Sequence, residues 1–246
     1  MKDRSGDFAA SDFPRLLFVT GTDTGVGKTL VTALLALKLR QLAHTVGVCK
    51  PFASGCVWRG GHLESEDAVW LKTVLDLPET LAQINPIALE EPLAPLVAAR
   101  RAGVSTLGWR QRARAAIDEL AAHNDVVLVE GVGGLEVPVG EDETGIWTAR
   151  EFAAALECPL VLVARRSLGT LNHTLLSVGA VPTICALVFN DSEAVNAEDV
   201  AAQTNVALLR EMTGLPVWGE IPFLGDKRDD AATLDRIAAS LDLDGL

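Results

Sequence analysis

The stretch Leu16–Leu30, LLFVTGTDTGVGKTL, decides the reading of this chain. A short apolar strand runs directly into Gly21-x-x-x-x-Gly27-Lys28-Thr29, and Thr29 opens a second apolar run with helical spacing. Strand, glycine-rich turn and helix in that order form the phosphate-binding P-loop pattern. Glycines let the backbone turn successive N–H groups inward and approach a polyphosphate closely. The Lys28 ammonium then reaches the β- and γ-phosphates, the Thr29 hydroxyl takes a place on Mg2+, and the helix N-terminus favours the negative charge. Gly25, Val26, Gly27, Lys28, Thr29 and Leu30 are the nucleotide contacts this pattern predicts.

Outward from the loop, Leu30–Leu42 carries apolar residues at helical spacing, and Thr45–Cys49 reads as a buried strand ending at Lys50-Pro51. Phe52–Ser65 reads as loop, Glu66 begins a helical stretch, and the prolines of Asn85–Pro95 exclude regular helix there. Leu107–Ala122 is an amphipathic helix leading into Val126–Val129, four consecutive apolar residues that suit a strand buried on both faces. Pro159–Ala164 and Thr183–Phe189 repeat that pattern. Leu168–Asn172 starts a helix, Asn196–Thr213 is helical, Pro216–Glu220 is a last strand, and Asp230–Leu241 is a closing helix. The alternation predicts an α/β, three-layer P-loop NTPase fold: a mainly parallel central sheet with helices on both faces. Residues 1–14 read as a flexible N-terminal tail without the apolar core of a signal peptide, and residues 15–246 as a single P-loop α/β domain.

The 21 Lys and Arg against 33 Asp and Glu leave a net charge of −12, which argues against a nucleic-acid partner. Cys49, Cys56, Cys158 and Cys185 form no CxxC pair and no cluster with the four histidines, so a reduced, cytoplasmic protein is expected. No apolar run approaches the length of a membrane span.

Thr20-Gly21, Lys50, Glu130, Arg165 and Asn190 each follow a strand's apolar run, so a parallel sheet gathers them at its carboxyl edge, where such sheets bind ligands. Mg2+ takes one or two carboxylates, and Glu130 stands where one is needed. Asp67 has two readings: a second metal carboxylate, or an acid favoured at a helix start by the dipole and by capping. Lys50, between a buried strand and a proline, is placed to hold an anionic acceptor near the γ-phosphate and to neutralise charge in the transition state. A lysine whose stem covers the surface is the alternative. Gly131-Val132-Gly133-Gly134 supplies a further N–H-rich turn.

Taken together, GTDTGVGKT (21–29), KPFASG (50–55), SEDA (65–68), Asn85-Pro86, VEGVGG (129–134), LGTLNH (168–173) and Asn190-Asp191 resemble the ordered motifs of the dethiobiotin synthetase family. The likeness runs from Leu16 to about Leu224. It implies that 7,8-diaminopelargonate takes up CO2 as a carbamate, that ATP phosphorylates the carbamate, and that the second amine closes a ureido ring with loss of phosphate. It further implies Lys28 and Lys50 as catalytic cations and Thr29, Asp67 and Glu130 around Mg2+. Gly131, Val132, Gly133, Asn190, Asp191, Pro222, Phe223 and Leu224 join the nucleotide site, with Asn190 on adenine. Thr24, Ser54 and Gly133 would meet the diamine or its carbamate. Gly169, Thr170 and Asn172 would receive the substrate carboxylate across a homodimer interface. Gly25 departs from the acid that some relatives carry, and Phe52 from their valine.

Three rivals share the P-loop: an ATP-driven partitioning or septum-positioning switch, a glutamine-dependent amide ligase, and a metabolite kinase. The switch expects an additional early lysine where this chain has Thr22 and Asp23, and the ligase needs a glutaminase domain for which the chain has no room.

Overall fold

The computed structural model describes residues 13–196 and 198–243. Most of the expected N-terminal tail, and residue 197 within the stretch read as Asn196–Thr213, lie outside the described residues. In chain order the elements are β1 (Leu16–Gly21), α1 (Lys28–Gln41), β2 (Val46–Cys49), β3 (Phe52–Ala53), β4 (Val57–Arg59), β5 (His62–Glu64), α2 (Glu66–Val74), α3 (Leu81–Ile84) and β6 (Ile87–Ala88). They continue with α4 (Pro95–Ala102), α5 (Trp109–Ala121), β7 (Val126–Gly134), β8 (Pro138–Asp142), β9 (Gly145–Thr148), α6 (Ala149–Ala155), β10 (Leu160–Ala164) and α7 (Thr170–Ala180). The last are β11 (Ile184–Asn190), α8 (Val200–Thr213), β12 (Val217–Ile221), a 3-10 turn (Gly225–Asp229) and α9 (Ala231–Ser240).

Six strands form one sheet in the order β12-β11-β10-β1-β7-β2, every neighbouring pair parallel. Side chains alternate across it: Leu17, Val19, Val126 and Leu128 pack with α1, α2 and α9, whereas Phe18, Val127 and Val129 pack with α5, α6 and α8. Because both faces are covered, successive residues are all apolar, which is why these strands read as continuous runs. A fully buried Leu or Val contributes roughly 1.5–3 kcal/mol, so α1, whose Leu34 and Leu35 are wholly buried, is held by packing.

The structure corrects three local expectations. Phe52–Ser65 is not all loop: β3 pairs with β6, and β4 and β5 form a hairpin. Asn85–Pro95 contains β6, and Pro95 opens α4 at its first position, where a missing N–H costs nothing. The third concerns Glu130, which lies inside β7 rather than beyond it. Val19 faces Glu130 but Gly21 faces Gly134, so extra residues of β7 are accommodated by a register shift just where the site begins.

Replacing Leu35, fully buried on α1, by alanine is expected to lower the unfolding free energy by about 2–5 kcal/mol in urea titrations, and Leu42→Ala at the exposed helix end by less than about 1 kcal/mol.

Candidate nucleotide and phosphoryl-transfer site

β1 delivers the loop to the carboxyl edge of the sheet, and Thr22 N–H donates to the Val163 carbonyl at 3.0 Å. Gly27 caps α1 at φ 95°, and a Cβ there would stand 2.2 Å from Asn190 Nδ2, so only glycine fits. Gly25 also has a positive φ (74°), and the Arg165 guanidinium, which donates to the Thr24 carbonyl at 3.2 Å, lies beside it. Lys28 curls back so that Nζ donates to the Asp23 carbonyl at 2.9 Å.

The charged centre is assembled from four elements. Glu130, buried in β7, accepts from Thr29 Oγ1 of α1 at 2.8 Å and from Lys50 Nζ at 2.5 Å on the same Oε1. Lys50 Nζ also pairs with Asp67 Oδ2 of α2 at 2.8 Å. Asn85 fixes the backbone that carries Lys50, its Nδ2 donating to the Lys50 carbonyl at 2.6 Å, and Lys50 N–H donates to the Ile84 carbonyl. Ser65 caps α2 by accepting from Ala68 N–H, and thereby orients the turn that carries Asp67.

Burial and the two lysines' different neighbours separate their titration. Burial pushes Lys28 down to about 8, against the pull of Glu130. Burial acts on Lys50 in the same sense, but the attraction of Glu130 and Asp67 outweighs it and holds the ammonium above the ordinary lysine range. Burial would raise the Asp67 carboxyl, but Lys50 holds it below the usual range.

A cavity of about 980 Å3 opens over this centre. Of the residues predicted from sequence, Thr24, Gly25, Gly27, Lys28, Thr29, Leu30, Lys50, Ser54, Asp67, Glu130, Gly131, Val132, Gly133, Asn190, Asp191, Phe223 and Leu224 line it. Val26 is buried beneath the loop, and neither it nor Pro222 is part of the wall. Gly169, Thr170 and Asn172, at the start of α7, are not part of this chain's cavity either. Asn190 Nδ2 donates to the Val26 carbonyl at 3.0 Å, and its Oδ1, buried, has no protein partner. Asp191 is held by both arms of Arg166, which also reaches Glu220. Sequence reasoning missed the wall made by Ala53, Pro92–Pro95 and Val137, and it missed Arg228. The prolines were a signal for that wall, read only as an interruption of helix.

Among the described residues no three His, Cys, Asp or Glu side chains converge as a metal cage, and no helix is long and apolar enough to cross a membrane. The four cysteines are unpaired.

Fold and site together define a P-loop nucleoside triphosphatase. The MinD cell division protein of Aquifex aeolicus superposes with a TM-score of 0.53 at 14% identity, over 93% of each chain. The GDP complex of the signal recognition particle receptor FtsY of Elizabethkingia anophelis gives 0.52 at 15% identity, over 94% of this chain and 64% of that one. An AAA domain family model matches residues 15–230. The ATP-dependent dethiobiotin synthetase BioD of Thermodesulfovibrio yellowstonii is 36% identical over 87% of this chain and 90% of its own length. That of Bacillus cereus strain G9842 is 38% identical over 84% and 82%. The chain belongs to the ATP-dependent dethiobiotin synthetase family.

Because Lys28 has a lower pKa folded than unfolded, the unfolded chain binds more protons between about pH 8 and the ordinary value of 10.5, and this residue's contribution to stability rises with pH across that window. Thermal unfolding from pH 7 to 10.5 is expected to show Lys28→Met more stable than the native chain at pH 7, by no more than about 3 kcal/mol, with the gap narrowing as pH rises.

Proposed function

We propose that the protein joins CO2 to 7,8-diaminopelargonate and closes the ureido ring of dethiobiotin at the expense of ATP, in biotin synthesis. The observation that carries this reading is the convergence of Lys28 and Lys50 on one cavity, beside a P-loop and below a largely apolar wall (Ala53, Pro92–Pro95, Val137) suited to an aliphatic chain. Family membership supports it.

A free amine attacks CO2 without a strong enzymic base and, on losing a proton, becomes a carbamate. The carbamate oxygen attacks the γ-phosphorus and ADP leaves. The second amine then attacks the carbamoyl carbon of the mixed anhydride, inorganic phosphate departs and the ring closes. Each step gathers negative charge in a small volume, so the site must supply position and fixed cations. Lys50 meets that need because its two carboxylate partners keep it protonated; it acts as a cation rather than as a base. Lys28 holds the phosphates from the loop side. Thr24, Ser54 and Gly133, on the cavity wall, contact the diamine or its carbamate.

The donor set fits Mg2+: Thr29, Asp67 and Glu130 offer hard oxygens, and Glu130 Oε2 is buried without a protein partner. Bound there, the ion would neutralise phosphate charge. Asn190 spends its amide N–H on Val26 and keeps its carbonyl oxygen for a donor, which suits the exocyclic amine of adenine. Gly131, Val132 and Asp191 line the nucleotide side with Phe223 and Leu224, and Pro222 fixes that segment's entry. Gly169, Thr170 and Asn172 take the substrate carboxylate of a neighbouring subunit in a homodimer. The strongly exposed Leu168 and Leu176 beside them support such an interface. The unpaired cysteines suit a reducing cytoplasm.

Protein mixed with ATP, Mg2+, bicarbonate and 7,8-diaminopelargonate is expected to yield the ureido product by mass spectrometry, with phosphate release dependent on the diamine. Lys50→Gln, whose amide can still bond Glu130 and Asp67, is expected to bind ATP and to lose at least about 100-fold in rate. No ureido product with any nucleoside triphosphate, or phosphate left on the acceptor, overturns the reading. Leu176→Glu is expected to shift a dimer to monomer in sedimentation velocity and to lower product formation with it.

A further inference from the structure

The cavity's far wall comes from the chain after β12, where Phe223, Leu224 and Gly225 lead into the 3-10 turn Gly225–Asp229. Two contacts tie that turn to α2. The Arg228 guanidinium lies over the Trp70 ring, 4.5 Å from its centroid, and Trp70 Nε1 donates to Asp229 Oδ1 at 2.7 Å. Trp70 is three residues after Asp67 on α2, so one helical face carries both a carboxylate of the charged centre and the platform for Arg228. Arg228 itself lines the cavity. Among the described residues no carboxylate stands within ion-pair distance of the Arg228 guanidinium, in contrast to Arg166, which is fully engaged.

An exposed arginine normally keeps many rotamers. Here the ring fixes the guanidinium plane, and Asp229 fixes the ring. A cation held in one orientation on a cavity wall, without an acidic partner, is arranged to receive an anion from the cavity. Its platform, Trp70, stands one helical turn from Asp67 on α2, so the stack holds the guanidinium on the side of the charged centre, the phosphate end of the proposed site. We propose that Arg228 is a phosphate-binding residue for the nucleoside triphosphate, delivered by the C-terminal segment and positioned by Trp70. This rests on the ATP site proposed above. It would make the segment that walls the base also grip the phosphates, so that one piece of chain reads both ends of the nucleotide.

Calorimetric titration with ATP and Mg2+ of the native chain, Arg228→Lys, Arg228→Ala and Arg228→Glu tests it. All four keep the fold, since the side chain is exposed. Affinity is expected to fall in the order Arg, Lys, Ala, Glu, by about tenfold at alanine and further at glutamate, where like charge repels the phosphates. Trp70→Leu should weaken binding less than Arg228→Ala, and adding it to Arg228→Ala should cost nothing more, because the ring acts through the guanidinium. Four equal affinities, or a glutamate variant no weaker than alanine, overturn the proposal while leaving the ATP site standing. A native chain that does not bind ATP, or a Lys28→Ala control that binds as well as native, overturns the ATP site and this inference with it.

Discussion

A carboxylate buried in a parallel sheet is costly, and the site is organised around making one tenable. An isolated ionised carboxyl at the depth of Glu130 would lose several kcal/mol of hydration even after relaxation. Lys50 and Thr29 meet it on one oxygen, and Asp67 shares the lysine from the other side. The four residues come from the end of β2, the first turn of α1, the first turn of α2 and the interior of β7, so their mutual attraction fixes how those elements meet. Buried ion pairs of this kind seldom stabilise a protein more than well-packed apolar residues would. Their presence here fits the proposed chemistry better than a role in stability.

The chemistry proposed above depends on cations whose charge survives desolvation. Lys28 and Lys50 are both nearly buried, yet their partners differ: a backbone carbonyl for one and two carboxylates for the other. The same loss of water therefore depresses the first and is overridden at the second. The result is a pair in which burial depresses the pKa of one cation while two carboxylates keep the other's charge constant. Asn85 and Ser65 stand behind the constant one, holding the strand end and the helix start from which the pair is built.

Much of this arrangement was legible in the amino-acid order. The loop glycines, Lys28 and Thr29 are a local pattern, and the apolar runs at Val126 and Leu160 announce a sheet buried on both faces. Lys50 and Glu130 could be brought together because parallel strands share a carboxyl edge. What stayed hidden depends on contacts between distant segments. The extension of β7 past Glu130 arises from pairing with β1, and nothing local distinguishes it from a turn. The β4–β5 hairpin lies in a stretch whose glycines and acids look like loop. The Pro92–Pro95 wall and the Arg228–Trp70 stack have no periodicity; each exists only once residues far apart in the chain have met. Asp67 shows the limit well, since a helix-start acid has two ordinary explanations until a lysine is seen beside it.

The position of β1 in the sheet has a further consequence, for the order in which the molecule can be made. Of the described strands β1 leaves the ribosome earliest, and it is one of the innermost, with hydrogen bonds to β7 and β10. At synthesis rates of about 5–20 residues per second, more than 100 residues and several seconds must pass before either neighbour exists. Until then an apolar strand has no sheet to join, and the long loops that must close to complete it make assembly intrinsically slow. Through that interval the nascent chain carries an apolar strand and its glycine-rich loop without native neighbours to cover them, which is when chaperones rather than native contacts protect a chain.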